Sequence, residues 1–263
     1  MKKERGISGF SRNKKGQVTI FIIIAILIVG IVALIYFLIP RAETTTGFDT
    51  QNPQGFIQNC MDDRIEEVVS TLSAQGGSVA PEFYFNYQGN SIEYLCYTNE
   101  FYRPCVIQQP VLQQHIIDKI TGNIASDVET CFANLEANYE AEGYSVNIQS
   151  GKTVVELLPK RFIVNFTDYI LTTTKADTAR HDSFSVVLNN NLYELTSIAN
   201  SIINWEEEYG DAETTAYMIY YKDLKVEKHL QQDGTKIYII TDRNTGDNFQ
   251  FATRSGAWPP GFG

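Results

Sequence analysis

Residues 18–39 read VTIFIIIAILIVGIVALIYFLI, a run without a charged residue, in which Thr19, Gly30 and Tyr36 are the interruptions. At a rise of ~1.5 Å per residue, a helix of this length spans ~33 Å, against ~30 Å for the hydrocarbon core of a bilayer. Lipid offers the backbone no hydrogen-bond partner, so such a run crosses it as a helix. The reading predicts a transmembrane helix over 17–40. Lys2, Lys3, Arg5, Arg12, Lys14 and Lys15 precede it against Glu4, and after it Arg41 is the one basic residue before Arg64. Excess Lys and Arg at one end keep that end in the cytoplasm. The expectation is a single-pass protein of the cell membrane, with lipid as a partner and the carboxy-terminal domain extracellular. The run exceeds the ~7–15 residues of a secretory signal core, and Phe37-Leu38-Ile39-Pro40-Arg41 offers no small-x-small cleavage site.

The string Lys14-Lys15-Gly16-Gln17 abuts the apolar run. It resembles the class III signal peptide of archaeal type IV pilins and archaellins. The resemblance covers residues 1 to about 40. It implies a leader over 1–16, cut between Gly16 and Gln17 by a prepilin-peptidase-like protease, with the apolar segment kept on the mature chain. It also implies self-assembly through that segment, burying Ile22, Ile26, Val29 and Ala33 against sister helices. Many pilins carry Glu at the fifth mature position, and here that position is Phe21. Gln75-Gly76-Gly77 and Phe249-Gln250-Phe251-Ala252-Thr253-Arg254 resemble stretches of large pilin-like surface proteins.

The chain carries 21 basic and 31 acidic residues, a net charge of −10. Residues 1–16 contribute six basic groups and one acid, so the remainder stands at about −15. A strongly acidic domain repels nucleic acid, which is excluded as a partner, and favours solubility.

Residues 41–55, RAETTTGFDTQNPQG, lack an apolar period and read as a linker. An extracellular domain over 56–263 follows. Residues 56–73 place apolar side chains at three- and four-residue steps and predict an amphipathic helix ended by Gly76-Gly77. Residues 82–88 and 91–97 flank Gly89-Asn90 and read as a hairpin. Pro110 opens a second helical region, with Thr121-Gly122-Asn123 as a break. Strands are expected at 145–149, 153–158, 162–167 and 183–188, and a helix at 192–205, trailed by Glu206-Glu207-Glu208. Asp233-Gly234 joins strands 225–230 and 236–241, and 248–253 closes the sheet. The fold class is α+β: an amino-terminal transmembrane, pilin-like helix, then amphipathic helices with mostly antiparallel sheet.

Cys60, Cys96, Cys105 and Cys131 suit two bridges in an oxidising space. Three pairings exist. Cys96 and Cys105 bracket a short loop, and Cys60 and Cys131 each sit on an apolar helix face, which favours Cys96–Cys105 with Cys60–Cys131. The rival, a four-cysteine metal site, has no Cys-x-x-Cys pair to support it. His115, His181 and His229 are scattered. His181-Asp182-Ser183 holds triad residue types, but adjacent residues cannot converge as a triad does. Asp242-Arg243-Asn244-Thr245-Gly246-Asp247 reads as a turn rather than a calcium loop, lacking the terminal bidentate Glu. Tyr84, Tyr87, Tyr94, Tyr97 and Tyr102 are read as sheet residues, with a sugar-binding face as the functional alternative. Asn165-Phe166-Thr167 is a glycosylation sequon. No phosphate loop, His-Glu-x-x-His or Gly-x-Ser-x-Gly occurs. The expectation is a non-enzymatic, cofactor-free pilin-like surface protein, a filament subunit or an adhesion or envelope component. The alternative is a monomeric surface binding module.

Overall fold

The computed structural model describes residues 48–256, together with Leu27 and Ile28, which are helical. The segment 17–40 otherwise lies outside the described residues, as do Gly16 and Gln17. Among the described residues no helix is long and apolar enough to cross a membrane. The longest of them carries Asp118, Lys119, Asp127 and Glu129 along its length, charges that lipid would not accept. The expected fold class is corrected on this finding to an α+β domain without a spanning helix, and the single-pass placement is withdrawn with it.

Helix α1, Pro53–Ala74, begins earlier than its apolar pattern suggests. Pro53 stands in the first turn, where its missing N–H costs nothing, and the Gly55 amide donates to Asn52 Oδ1 at 2.8 Å. Phe48 packs edge-on against Phe56 and Tyr139, at ring distances of 5.6 and 4.7 Å, and the Tyr139 hydroxyl donates to Thr50 O at 2.7 Å. These contacts, with the start of α1 at Pro53, place 48–55 in the domain rather than in the linker read over 41–55, whose remaining residues lie outside the described ones.

Helix α2, Leu112–Ala141, runs unbroken through Gly122. Ile116, Ile120, Ile124 and Val128 keep one buried face in register across the glycine. Gly in a helix costs ~1 kcal/mol against Ala, while each buried Ile is worth ~1.5–3 kcal/mol, so the face decides. Thr121 and Asn123 bond back to the carbonyls of Ile117 and Lys119, which removes their turn-forming pull.

The main sheet runs β1 (Tyr84–Tyr87), β2 (Asn90–Tyr97), β12 (Asn248–Arg254), β11 (Thr235–Asp242), β10 (Leu224–Leu230), with the short β3 (Val106–Ile107) also on β2. The last strand does not close the sheet. It lies inside it, parallel to β2 and antiparallel to β11. The β1–β2 turn is formed by Gln88 and Gly89, both at positive φ, with Tyr87 opposite Asn90.

Two three-stranded sheets complete the domain, β4 (Ser145–Gln149), β7 (Ile170–Thr174), β8 (Thr178–His181) and β5 (Lys152–Leu158), β6 (Arg161–Thr167), β9 (Phe184–Asn189). Strands β7 and β8 are Thr-rich or short, and the sequence pattern does not show them. Ser150-Gly151 does not fold β4 onto β5 but hands the chain between the two sheets. A Cβ at Gly151 would sit 2.0 Å from Thr167 O, so glycine is required at this crossing.

Helix α3, Leu192–Tyr209, and the short α4, Thr214–Tyr220, lie over β11, β12 and β10. Gly210 ends α3 at φ 76, extending it past the Trp205 where the apolar period stops. One core cluster joins α1, α2 and α3 to all three sheets, and a smaller one, Ile92, Tyr94, Ile237 and Ala252, covers the other face of the main sheet.

Both bridges are present. Cys60–Cys131 ties α1 to α2, with Cα atoms 6.0 Å apart, and Cys96–Cys105 closes the loop between β2 and β3 at 5.4 Å.

Candidate functional site

The sequence-level candidates are not brought together. The Tyr94 hydroxyl is buried against Thr235 Oγ1 at 2.8 Å, and burial raises its pKa. Tyr97 packs on Phe83 and Tyr94, while Tyr87 lies over His229. These rings pack on their neighbours, as sheet residues do, whereas Tyr84 and Tyr102 are exposed. His181 ends β8, and Asp182 turns to Arg180 at 3.7 Å rather than to the histidine. Asp242 and Asp247 spend their oxygens on the turn and on Asn191 at the start of α3. Asp242 accepts from the amides of Asn244 and Thr245 and from Asn191, and Asp247 from the Asn191 amide and the Thr245 hydroxyl. Asn165 stands mid-strand in β6, the middle strand of its sheet, with its amide donating to Glu156 Oε1 at 3.1 Å.

One arrangement has the look of a nucleophile site and fails on geometry. His115 Nε2 lies 3.0 Å from Ser78 Oγ and 3.8 Å from Glu93 Oε2. A relay needs the two partners on opposite ring nitrogens, and here one nitrogen faces both. Ser78 is also only 2% exposed, out of reach of a substrate. Among the described residues no group of three or more His, Cys, Asp or Glu is placed to hold a metal ion.

The open site lies elsewhere, on and between α3 and α4. Trp205, Tyr209, Ile219, Tyr220 and Tyr221 are all exposed, Tyr220 at 86%. Helix α4 is too short to be stable on its own. It starts with the Glu213 carboxylate accepting the Thr215 amide at 2.8 Å, a bond that lowers the Glu213 pKa. It is fastened to α3 by Tyr217, whose hydroxyl meets Ser201 Oγ at 2.8 Å and whose partial burial raises its pKa. Tyr217 and Met218 turn to the core. That leaves Ile219, Tyr220 and Tyr221 outside.

Two hollows flank this ridge and share Tyr220 and Tyr221. The larger, about 460 Å³, also takes in Tyr193, Glu194, Asp223 and Asp242, and the smaller, about 340 Å³, takes in Trp205 and Glu213. The larger falls within the size range of small-ligand sites. Glu194 Oε1 accepts from the Lys160 amide at 2.9 Å, while its buried Oε2 has no donor. Asp223 is exposed on the rim.

Directly behind the cleft the chemistry inverts. Glu206, next to Trp205, is fully buried. Lys236 Nζ donates to its Oε2 at 2.8 Å and to Gly210 O at 2.6 Å, the Ala212 amide donates to Oε1 at 3.2 Å, and the Tyr238 hydroxyl donates to the same oxygen. Burial raises the Glu206 pKa, and Lys236 partly offsets this. Burial and the adjacent carboxylate push the Tyr238 phenol upward as well. Burial works against ionisation of Asp211 too, but Lys228 and Lys236, at 2.9 and 3.0 Å, hold its carboxyl below the usual value. This network pins the end of α3, and with it Trp205, to β11. The sequence gives one signal for the site, the aromatic run Tyr217-Met218-Ile219-Tyr220-Tyr221, which reads equally as buried strand.

Comparison of the chain with protein-family models, with curated proteins and with solved structures finds no match.

Proposed function

We propose that the protein is an exported, pilin-like surface protein whose described domain works by contact rather than catalysis. The observation that carries this is the pair of disulfides in a single α+β domain, since such bridges persist in oxidising spaces outside the cytoplasm. The string Lys14-Lys15-Gly16-Gln17 supports the pilin-like part. The test is non-reducing peptide mapping, together with amino-terminal sequencing, of protein isolated from its native setting. The reading expects both bridges and a terminus at Gln17. Four free thiols would end the export reading, and an intact Met1 or Lys2 terminus would end the pilin-like one.

A second reading, a monomeric surface binding module, is favoured by the aromatic cleft on α3 and α4. A filament subunit needs exposed apolar surface only where copies meet. The cleft instead combines exposed rings with carboxylates in a concave site, the form that ligand recognition takes.

A further inference from the structure

We propose that the larger hollow beside α4 binds the arginine side chain of a basic polypeptide segment from another protein. This rests on the binding-module reading and names the chemistry of its guest. Three observations converge on it. Tyr193, Tyr220 and Tyr221 line it, and a guanidinium stacks on such rings through cation–π and planar contact. Glu194, Asp223 and Asp242 line the same hollow against Lys222, leaving an excess of negative charge. Asp242 is engaged in its own turn, so the carboxylates left for a guest are Glu194 and Asp223. Glu194 lines the hollow, and its Oε2 is buried without a hydrogen-bond donor, so turning the carboxylate toward a forked donor completes it. Arginine fits better than lysine because one planar group meets both the rings and the carboxylate. The domain as a whole is acidic, and its field draws cationic segments from a distance. Tyr220 is already exposed and held on a helix fixed by Tyr217, so little ordering opposes binding.

The test uses the full chain and three probes read by fluorescence anisotropy at physiological salt: labelled hexa-arginine, hexa-lysine and cellohexaose. Hexa-arginine is expected to bind more tightly than hexa-lysine, with cellohexaose not binding. Glu194→Gln should weaken hexa-arginine by about tenfold, the loss of one charged hydrogen bond. Tyr220→Ala should weaken it by about threefold to tenfold, the loss of one cation–π face. Glu129→Gln removes the same charge from the exposed face of α2 and should leave the affinity within about twofold. Equal losses for Glu129→Gln and Glu194→Gln would reduce the effect to bulk charge and overturn the proposal. An unchanged affinity in Tyr220→Ala, with circular dichroism unaltered, would overturn it too. Preference for cellohexaose, lost in Tyr220→Ala, would overturn the arginine assignment while leaving the binding-module reading intact. No binding of any probe would overturn the assignment, and the disulfide mapping would still decide the export reading.

Discussion

Trp205 and Glu206 are neighbours on α3, and the fold treats them in opposite ways. The tryptophan is 48% exposed, whereas the glutamate is 0% exposed. Composition alone would reverse them, since aromatics dominate cores and Glu is almost never fully buried without a partner. The difference teaches where this domain's fixed and free surfaces lie. Glu206 is held because Lys236, Tyr238 and the Ala212 amide satisfy it. Trp205 is exposed because α4 covers only part of α3 and turns Tyr220 outward. One side of the helix end is fixed by these bonds, and the other is exposed.

The sharpest way to break the buried half is Lys236→Met. It leaves Glu206 without its cation, and we expect a loss of ~3–5 kcal/mol in urea unfolding at neutral pH. The sign with pH follows from the raised Glu206 pKa. A carboxyl with a raised folded pKa stabilises below its unfolded value of 4.5, and that contribution is lost as the pH rises through the folded pKa. The deficit of Lys236→Met should therefore shrink as the pH falls toward 4.5. Asp211, with its lowered pKa, works in the other direction in the parent protein, whose stability falls on acidification below the ordinary Asp range. A deficit that grows on acidification would contradict the assignment.

The bridges give the next largest effect. Replacing Cys60 and Cys131 by Ala opens a closure spanning 71 residues and should cost ~4 kcal/mol, against ~2.5 kcal/mol for Cys96 and Cys105, which span 9. The loop-length argument fails if the order is reversed. At the small end, Gly122→Ala meets nothing within 4 Å and should stabilise α2 by up to ~1 kcal/mol, seen as a higher urea midpoint with an unchanged slope.

Local pattern made α1, the β1–β2 and β10–β11 hairpins and most of α3 legible, because each buries one face at its own period. Local pattern could not show that β12 enters the sheet between β2 and β11, a pairing across most of the chain. Gly122 reads as a break only until the apolar register on both sides is seen to be continuous. Thr172, Thr173 and Thr174 form strand β7 because β4 and β8 flank them, not because of their own composition. The buried pair was hidden for the same reason. Glu206-Glu207-Glu208 looks like a solvated run, and the lysine that rescues its first member lies 30 residues away. The cleft was missed because exposed aromatics and core aromatics are the same letters.

The central claim, that sequence neighbours Trp205 and Glu206 belong to a free surface and a fixed interior, is tested most directly by one paired unfolding experiment. Trp205→Ala and Glu206→Ala are unfolded in urea side by side, followed by circular dichroism so that loss of the tryptophan does not change the probe. The account predicts a loss under about 1 kcal/mol for Trp205→Ala and ~3–5 kcal/mol for Glu206→Ala, since the second removes the buried acceptor shared by Lys236, Tyr238 and the Ala212 amide. Equal losses, or a larger one for Trp205→Ala, would contradict it.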